Sequence, residues 1–229
     1  MARQLNFDLP AKTALGREDF FVSPANALAV AMISATSWPG NKLVLSGPAG
    51  SGKTHLAHVW AAETGGRILH ATDLRHEDVP ALAQTPIAIE DVPMIADDAE
   101  RQKTLFHLHN LTLAEGNALL MTGRLAPKFW ELPLPDLQSR IEGAHHVSLD
   151  PPDDALLGAV LAKLFVDRQL NPGPEVISYL VKHMDRRFET AADVVAQLDM
   201  LALTEKRDIT RALAVRVLNS DPAEVASGD

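Results

Sequence analysis

The stretch that decides the fold of this chain is Gly47-Pro48-Ala49-Gly50-Ser51-Gly52-Lys53-Thr54. It fits the phosphate-binding pattern G-x-x-x-x-G-K-[ST] at every position. Residues 42–46 before it, with the apolar run Leu43-Val44-Leu45, predict a short buried strand, and residues 55–62 after it predict a helix with apolar side chains at helical spacing. A strand, a glycine-rich turn and a helix N-terminus suit an anion, because backbone N–H groups and the helix dipole point at it. The sequence therefore predicts a site for nucleotide phosphates.

Two side chains of this loop have predicted chemical roles. Lys53 would reach the β and γ phosphates of the nucleotide, and the hydroxyl of Thr54 would ligate Mg²⁺. The remaining predicted nucleotide contacts of the segment are Pro48, Ala49, Gly50, Ser51, Gly52 and His55. The alternative is a glycine-rich turn with a chance lysine, and the predicted strand and helix on either side disfavour it.

Composition excludes several classes of function. The chain has 229 residues, 46% of them hydrophobic, which is enough for one large or two small domains with a packed core. It has no cysteine, which excludes disulfides, cysteine-ligated zinc and thiol catalysis. The net charge is −9, whereas proteins that chiefly grip nucleic acid are usually basic. We therefore expect protein partners and no direct sequence-specific binding of DNA.

The N-terminus and the hydropathy predict the compartment. Gln4, Asn6 and Asp8 are polar where a signal peptide would be apolar, and no apolar run reaches membrane-spanning length. We expect a soluble cytoplasmic protein without a membrane partner.

Strand and helix signals alternate along the first two thirds of the chain. Further strands are predicted at 67–71, 86–89, 118–122 and 145–149, and a long helix at 97–115. Ser23 followed by Pro24 predicts the start of a helix that runs to about residue 36. Thr72 or Asp73 is expected to cap a short helix that ends before Pro80. Strands that alternate with helices predict an α/β fold with a parallel sheet.

After residue 150 the pattern changes to helices alone. They are predicted at about 153–170, 174–184, 190–204 and 208–219. We therefore expect a nucleotide-binding α/β domain at 15–150, a small all-helical domain at 151–220 and a disordered acidic tail at 221–229. Residues 1–14 would be an N-terminal peptide and linker. The nucleotide would lie in the crevice between the two domains.

Polar residues end two of the predicted strands. The strand 86–89 leads into Glu90 and Asp91, and the carboxyl ends of neighbouring parallel strands lie beside the phosphate loop. We assign Glu90 mainly to Mg²⁺ and Asp91 to the attacking water, with the order of the two left open; a solvated acidic turn is the alternative. Thr122 is the candidate for sensing the γ-phosphate, and an ordinary strand-end threonine is an equal alternative.

Three segments in combination resemble the AAA+ module of the bacterial replication initiator DnaA. The phosphate loop continues as Gly52-Lys53-Thr54-His55-Leu56-Ala57-His58. The segment Phe20–Asn26 is similar to the adenine-side segment of that family, and Leu134–Arg140 is similar to the segment that carries its arginine finger. The resemblance covers about residues 15–220. It implies an AAA+ P-loop domain followed by a helical lid, bound ADP or ATP with Mg²⁺, and nucleotide contacts from Phe21 and Val22.

Within that family the chain resembles the Hda-type paralogues of DnaA. The chain ends about ten residues after the last predicted lid helix, where the initiator continues into a DNA-binding domain. Its start, Gln4-Leu5-Asn6-Phe7-Asp8-Leu9, is similar to the peptide by which Hda-type proteins dock on the sliding clamp, the β subunit of DNA polymerase III. By its spacing alone this segment is more often a frayed terminus than a peptide that presents Leu5, Phe7 and Leu9 to a groove of another protein. The implied clamp contacts are Gln4, Leu5, Phe7 and Leu9.

The resemblance implies a negative regulator of replication initiation. A clamp-bound Hda-type protein stimulates hydrolysis of the ATP held by DnaA, and Arg140 would be the finger that it supplies; a structural salt bridge is the alternative for Arg140. The chain departs from the family twice. Glu189 stands where the lid has a sensor arginine, so that Arg186 or Arg187 would substitute, and Gly123 stands where the initiator has an acidic residue.

Both departures imply weak hydrolysis of ATP by this chain itself, with ADP as a structural cofactor. Whether the chain forms a homodimer is left open. The competing reading is a self-sufficient AAA+ ATPase that remodels or loads a replication protein on DNA. A small-molecule kinase is disfavoured, because the helical domain follows the sheet and does not interrupt it.

Overall fold

The computed structural model describes residues 21–219. The predicted N-terminal peptide 1–14 falls outside these residues, and so does the predicted tail 221–229. The described part contains a five-stranded sheet in the order β2-β3-β4-β1-β5. The strands are β1 Lys42–Ser46, β2 Arg67–His70, β3 Ile87–Glu90, β4 Leu119–Gly123 and β5 His145–Ser148, and every pairing is parallel.

The register of the sheet brings the carboxyl ends of three strands together. Ser46 at the end of β1 is paired with Gly123 at the end of β4, and β3 lies on the other side of β4. The phosphate loop, which follows Ser46, therefore shares one edge of the sheet with Glu90 and Thr122. This edge is where ligands bind in open parallel sheets.

Helices cover both faces of the sheet, which explains why the inner strands β1, β3 and β4 are mostly apolar and buried. On one face, α1 (Ala27–Ile33) and α2 (Lys53–Thr64) pack against Leu43 and Leu45, with Trp38 stacked on Trp60 at 5.3 Å between ring centroids. On the other face, α3 (Val79–Leu82), α4 (Ala99–Ala114) and α5 (Pro135–Glu142) pack against Val44 and Met121.

Four helices form a separate core after the sheet. They are α6 Asp154–Asp167, α7 Pro174–His183, α8 Phe188–Glu205 and α9 Arg211–Asn219. Their apolar faces meet around Phe165, Leu180 and Leu198, which are at most 1% exposed. The predicted fold class, a parallel α/β sheet followed by helices, is confirmed. Within residues 21–219, none of the helices has the length and hydropathy needed to cross a membrane.

Two local predictions were wrong. Helix α1 starts at Ala27 and ends at Ile33, because residues 23–26 form a turn in which the side chain of Asn26 accepts the Ser23 N–H at 2.8 Å. Pro80 does not follow the short helix but lies in the first turn of α3, where its missing N–H has no partner to lose.

Candidate functional site

The backbone of the phosphate loop is held open by glycine. Gly50 and Gly52 have φ angles of +71° and +96°, which other residues adopt only with strain. Helix α2 begins directly after Gly52, and no side chain caps its first turn. The N–H groups of that turn, with the positive end of the helix dipole, therefore face the loop as an anion site.

Lys53 lies inside the loop. Its ammonium donates to the carbonyl oxygens of Gly47 and Pro48 at 2.7 and 2.8 Å, and the residue is 8% exposed. Burial lowers the pKa of Lys53 and the charge of Arg124 acts in the same direction, whereas the carboxylates of Asp91, Glu189 and Glu90 act to raise it. Three carboxylates from two parts of the chain thus converge on one ammonium.

The residues around Lys53 fit a nucleotide phosphate with Mg²⁺. The hydroxyl oxygen of Ser51 and one carboxylate oxygen of Glu90 are buried and have no hydrogen-bond partner among the described residues. Buried polar atoms normally have partners, so these two atoms mark places for ligand groups. Thr54 is exposed and lines a cavity of about 140 Å³ together with Lys53. Oxygen ligands are those that Mg²⁺ prefers, and the binding of Mg²⁺ by Thr54 and Glu90 stays a prediction.

Asp91 is fixed from two sides. Its φ angle is +50°, and its N–H donates to the Thr122 hydroxyl at 3.0 Å. Its carboxylate oxygen Oδ2 lies 3.5 Å from Nε2 of His70, whose Nδ1 is 2.7 Å from the Thr72 hydroxyl. The structure therefore places Asp91 and Thr122 together. It engages the Thr122 hydroxyl with the protein backbone, and contact between Thr122 and a γ-phosphate stays a prediction.

The glycine at the end of β4 has a packing cause. A Cβ atom on Gly123 would lie 2.7 Å from the Trp130 ring, which is held by a 2.7 Å hydrogen bond from its Nε1 to the Leu125 carbonyl. An acidic side chain at position 123 would displace this indole. The packing of Trp130 therefore requires glycine at position 123, where an acidic residue was expected from the resemblance to the initiator.

The lid sits directly on the phosphate loop. The N–H of Phe188 donates to the carbonyl of Gly50 at 3.1 Å. A Cβ atom on Gly50 would lie 2.5 Å from Cβ of Arg187, and one on Gly52 would lie 3.0 Å from the Phe188 ring. The two glycines therefore leave room for the lid as well as for phosphate. Phe188 was missed by sequence reasoning, since nothing in its own segment points to the loop.

The two candidate sensor arginines before α8 and the glutamate that stands in the sensor position lie in different surroundings. Arg186 is bound to Asp154 at 2.5 Å and to the Pro152 carbonyl at 3.2 Å, so it ties α6 to the segment before α8. Arg187 lies against the phosphate loop through its Cβ. Glu189 lines the 140 Å³ cavity beside Lys53 and Thr54. Of the two arginines, Arg187 is thus the one next to the loop.

A second, larger cavity of about 220 Å³ lies between the lid and the start of α2. The predicted contacts Phe21, Ser51, Gly52 and His55 line it, whereas Val22 does not and is 53% exposed. The sequence did not predict the other residues that line this cavity, because the apolar ones have the spacing of ordinary core residues, such as those of α6 and α8. They are Asn26, Leu56, Leu149, Leu156, Val160, Lys163, Leu164, Asp167, Phe188 and Ala192. An apolar wall with a few polar groups suits a nucleotide base.

Arg140 lies far from this site. It is exposed in the last turn of α5, and its carbonyl accepts a hydrogen bond from the Lys42 ammonium at 2.8 Å. Lys42 begins β1, and the phosphate loop follows the other end of that strand, about 13 Å away at the usual rise per residue. The guanidinium makes no ion pair or hydrogen bond within residues 21–219. The four implied clamp contacts, Gln4, Leu5, Phe7 and Leu9, lie outside the described residues.

Comparison with solved structures identifies the fold. Domain III of the replication initiation protein DnaA from Thermotoga maritima aligns with a TM-score of 0.78 and 19% identity, over 94% of this chain and 98% of that chain. A replication initiator DnaA bound to AMPPCP and single-stranded DNA aligns with a TM-score of 0.65 and 21% identity, over 88% of this chain and 70% of that one. The RuvB Holliday junction branch migration motor of Thermotoga maritima aligns with a TM-score of 0.63 and 16% identity, over 77% and 60%.

These matches show the fold. The parallel five-stranded sheet with its covering helices, followed by a group of helices, matches AAA+ P-loop domains. The chain has a DnaA-like AAA+ fold. No protein-family model matches the sequence.

Proposed function

We propose that this chain is a nucleotide-dependent negative regulator of a DnaA-type replication initiator. It places Arg140 against the ATP that the initiator holds and so stimulates hydrolysis of that ATP. The observation that carries the proposal is the position of Arg140. Its side chain is exposed and lacks a carboxylate partner among residues 21–219, and it lies at the sheet edge opposite the phosphate loop of its own chain. It can therefore act on another protein's nucleotide but not on its own.

The chemistry suits a guanidinium. Charge develops on the transferring phosphoryl group during ATP hydrolysis, and an arginine supplied in trans is worth roughly 10³–10⁵ in rate. The planar fork of arginine also matches phosphate oxygens better than an ammonium does. A finger that is already neutralised by a carboxylate of its own chain would first have to break that ion pair.

The site of the chain itself would hold ADP or ATP with Mg²⁺. The base would occupy the 220 Å³ cavity, and the phosphates would lie at Lys53 and Thr54, with Glu90 toward the cation. Bound nucleotide supplies the negative charge that complements the loop. Three features favour weak intrinsic hydrolysis: Trp130 excludes an acidic side chain at position 123, Arg186 is engaged with Asp154, and Glu189 brings a carboxylate to the phosphate cavity.

A peptide tether completes the proposal. Residues 4–9 would dock on the sliding clamp through Gln4, Leu5, Phe7 and Leu9. Such a contact can be weak, because holding both proteins near one DNA site raises their effective concentration. It would also restrict the activity to clamp that has been loaded on DNA, after replication has begun.

The experiment is steady-state ATP hydrolysis by a DnaA-type initiator in the presence of clamp-loaded DNA. Wild type is expected to raise the rate, whereas Arg140→Ala and a variant without residues 1–10 are not. Arg67→Ala is the matched control, because Arg67 is an exposed arginine at the same sheet edge on β2. Equal rates with wild type and Arg140→Ala would refute the proposal.

The second candidate is a self-sufficient AAA+ ATPase that remodels or loads a replication protein. The observation that favours it is the carboxylate of Asp91, which lies 3.5 Å from His70 at the carboxyl end of β3 and whose charge acts to raise the pKa of Lys53. It predicts strong intrinsic hydrolysis that depends on Glu90 and Asp91, and DNA affinity that falls steeply with salt. Hydrolysis by the chain without any initiator separates this candidate from the regulator.

A further inference from the structure

Lys42 contacts the backbone of Arg140 at the sheet edge opposite the phosphate loop, and the charges of both residues act on His109. Lys42 comes from β1, Arg140 from α5 and His109 from α4. The Lys42 ammonium donates to the Arg140 carbonyl at 2.8 Å. His109 is 2% exposed, and its Nε2 has no hydrogen-bond partner among the described residues. The three groups belong to elements that are far apart in sequence, so only the fold assembles them.

The positive charges at this edge act on one another and lower the pKa of their neighbours. Burial lowers the pKa of Lys42, and the charge of Arg140 lowers it further. Burial also lowers the pKa of His109, and the charges of Lys42 and Arg140 both act in the same direction, against the hydrogen bond that His109 Nδ1 donates to the side-chain oxygen of Asn110. Lys42 and Arg140 thus act as a positive pair on their surroundings, and a positive pair at a surface favours an anion.

The contact between Lys42 and α5 is a helix C-terminal cap. Lysine side chains near a helix C-terminus bind the last carbonyls, which carry the negative end of the helix dipole. The carbonyl that Lys42 binds is that of Arg140 itself, so this bond fixes the backbone from which the guanidinium extends. An ammonium has three N–H donors, and one of them makes this bond.

We propose that Lys42 is the positioning residue of the Arg140 finger, whose guanidinium receives a phosphate group of a nucleoside triphosphate bound to the partner. The proposal rests on the function proposed above. It adds that β1, which leads into the phosphate loop of this chain at one end, holds the backbone of the finger residue at the other end. Lys42 acts through its hydrogen bond to the backbone of Arg140.

The test is the maximal rate of ATP hydrolysis by the initiator and the regulator concentration that gives half of it, with clamp-loaded DNA. Lys42→Met is expected to lower the maximal rate about tenfold, because a shift of about 1 Å in a reacting group costs up to about 10²-fold. The half-saturating concentration should stay within about twofold, since the clamp peptide is unchanged. Lys42→Arg keeps a cationic donor and should restore most of the rate.

Two further variants separate the causes. Arg140→Ala should abolish stimulation altogether, and Lys103→Met, which removes an exposed lysine on α4, should have no effect. Lys42→Met with the wild-type rate, beside an inactive Arg140→Ala, would overturn the role of Lys42 and leave the finger in place. Stimulation by Arg140→Ala at the wild-type rate would overturn the proposed function itself. A Lys42→Arg variant as slow as Lys42→Met would also overturn the positioning role.

Discussion

Replacing Lys53 by methionine isolates the contribution of one ammonium to the nucleotide site. The substitution keeps most of the aliphatic side chain and removes two charge-assisted hydrogen bonds, to the Gly47 and Pro48 carbonyls. Hydrogen bonds to a charged group contribute about 1.5–3 kcal/mol each, and the desolvation that lowers the pKa of Lys53 offsets part of this. We expect the nucleotide-free protein to lose about 2 kcal/mol of unfolding free energy.

The larger effect is on stabilisation by the ligand. Nucleotide at 100 times its Kd stabilises the folded state by about 2.7 kcal/mol. For a protein of this size 1 kcal/mol corresponds to about 2–4 °C in Tm, so wild type should gain about 5–11 °C. Lys53→Met should gain almost nothing at the same concentration, because the charge that binds the β and γ phosphates is gone.

The assay is thermal unfolding of both proteins with and without ADP and Mg²⁺. Lys182→Met is the control, because Lys182 is an exposed lysine on the lid helix α7. It should retain both the Tm and the nucleotide-dependent shift of wild type. A Lys53→Met variant that gains as many degrees as wild type would refute the assignment of this loop as the phosphate site.

Two further predictions concern the junction between sheet and lid. Gly50→Ala should lower the free energy of unfolding by about 2–4 kcal/mol, because of the positive φ angle and of overlap with Arg187. The control Gly116→Ala, at φ +77° in open space, should lower it by only about 1–2 kcal/mol. Urea unfolding measures both values. Asp153→Ala should cost about 1 kcal/mol at pH 7 and Asp153→Asn much less, because Asp153 caps α6 through the Leu156 N–H.

The cap formed by Asp153 also predicts how the free energy of unfolding depends on pH. Its hydrogen bond from the Leu156 backbone lowers the pKa of Asp153 in the folded state. The contribution of the carboxylate is therefore complete above the unfolded pKa of about 3.9 and is lost as the pH falls through the folded value. The acid limb of a stability–pH curve should be shallower for Asp153→Asn than for wild type. Identical limbs would contradict this account of the cap.

The order of strands and helices could be predicted because it is encoded locally. The phosphate-loop pattern fixed the position of β1 and α2, and apolar runs bounded by polar residues marked β3 and β4. The Ser23-Pro24 signal misplaced the start of α1, because residues 23–26 form a turn ahead of the helix, closed by the Ser23 N–H on the Asn26 side chain. Pro80 was misjudged for a similar reason, because proline both ends and begins helices.

The site could be predicted only as far as its motif extends. Lys53 and Thr54 follow from the loop pattern. The contacts of Phe188 with Gly50 and Gly52 join residues more than 130 positions apart, and no pattern in either segment signals them. Lys42 read as the polar start of a strand, and its bond to Arg140 depends on α5 ending beside β1. Long-range packing of this kind is decided by the whole fold.

The central claim is that this chain acts on ATP held by another protein. The direct measurement is single-turnover hydrolysis of labelled ATP preloaded on the initiator, with excess regulator, clamp-loaded DNA and no free ATP. We predict that wild type accelerates the turnover by roughly 10³-fold or more and that Arg140→Ala leaves it at the basal rate. Equal acceleration by both proteins, or no acceleration by wild type alongside rapid hydrolysis of free ATP by the chain alone, would contradict the account.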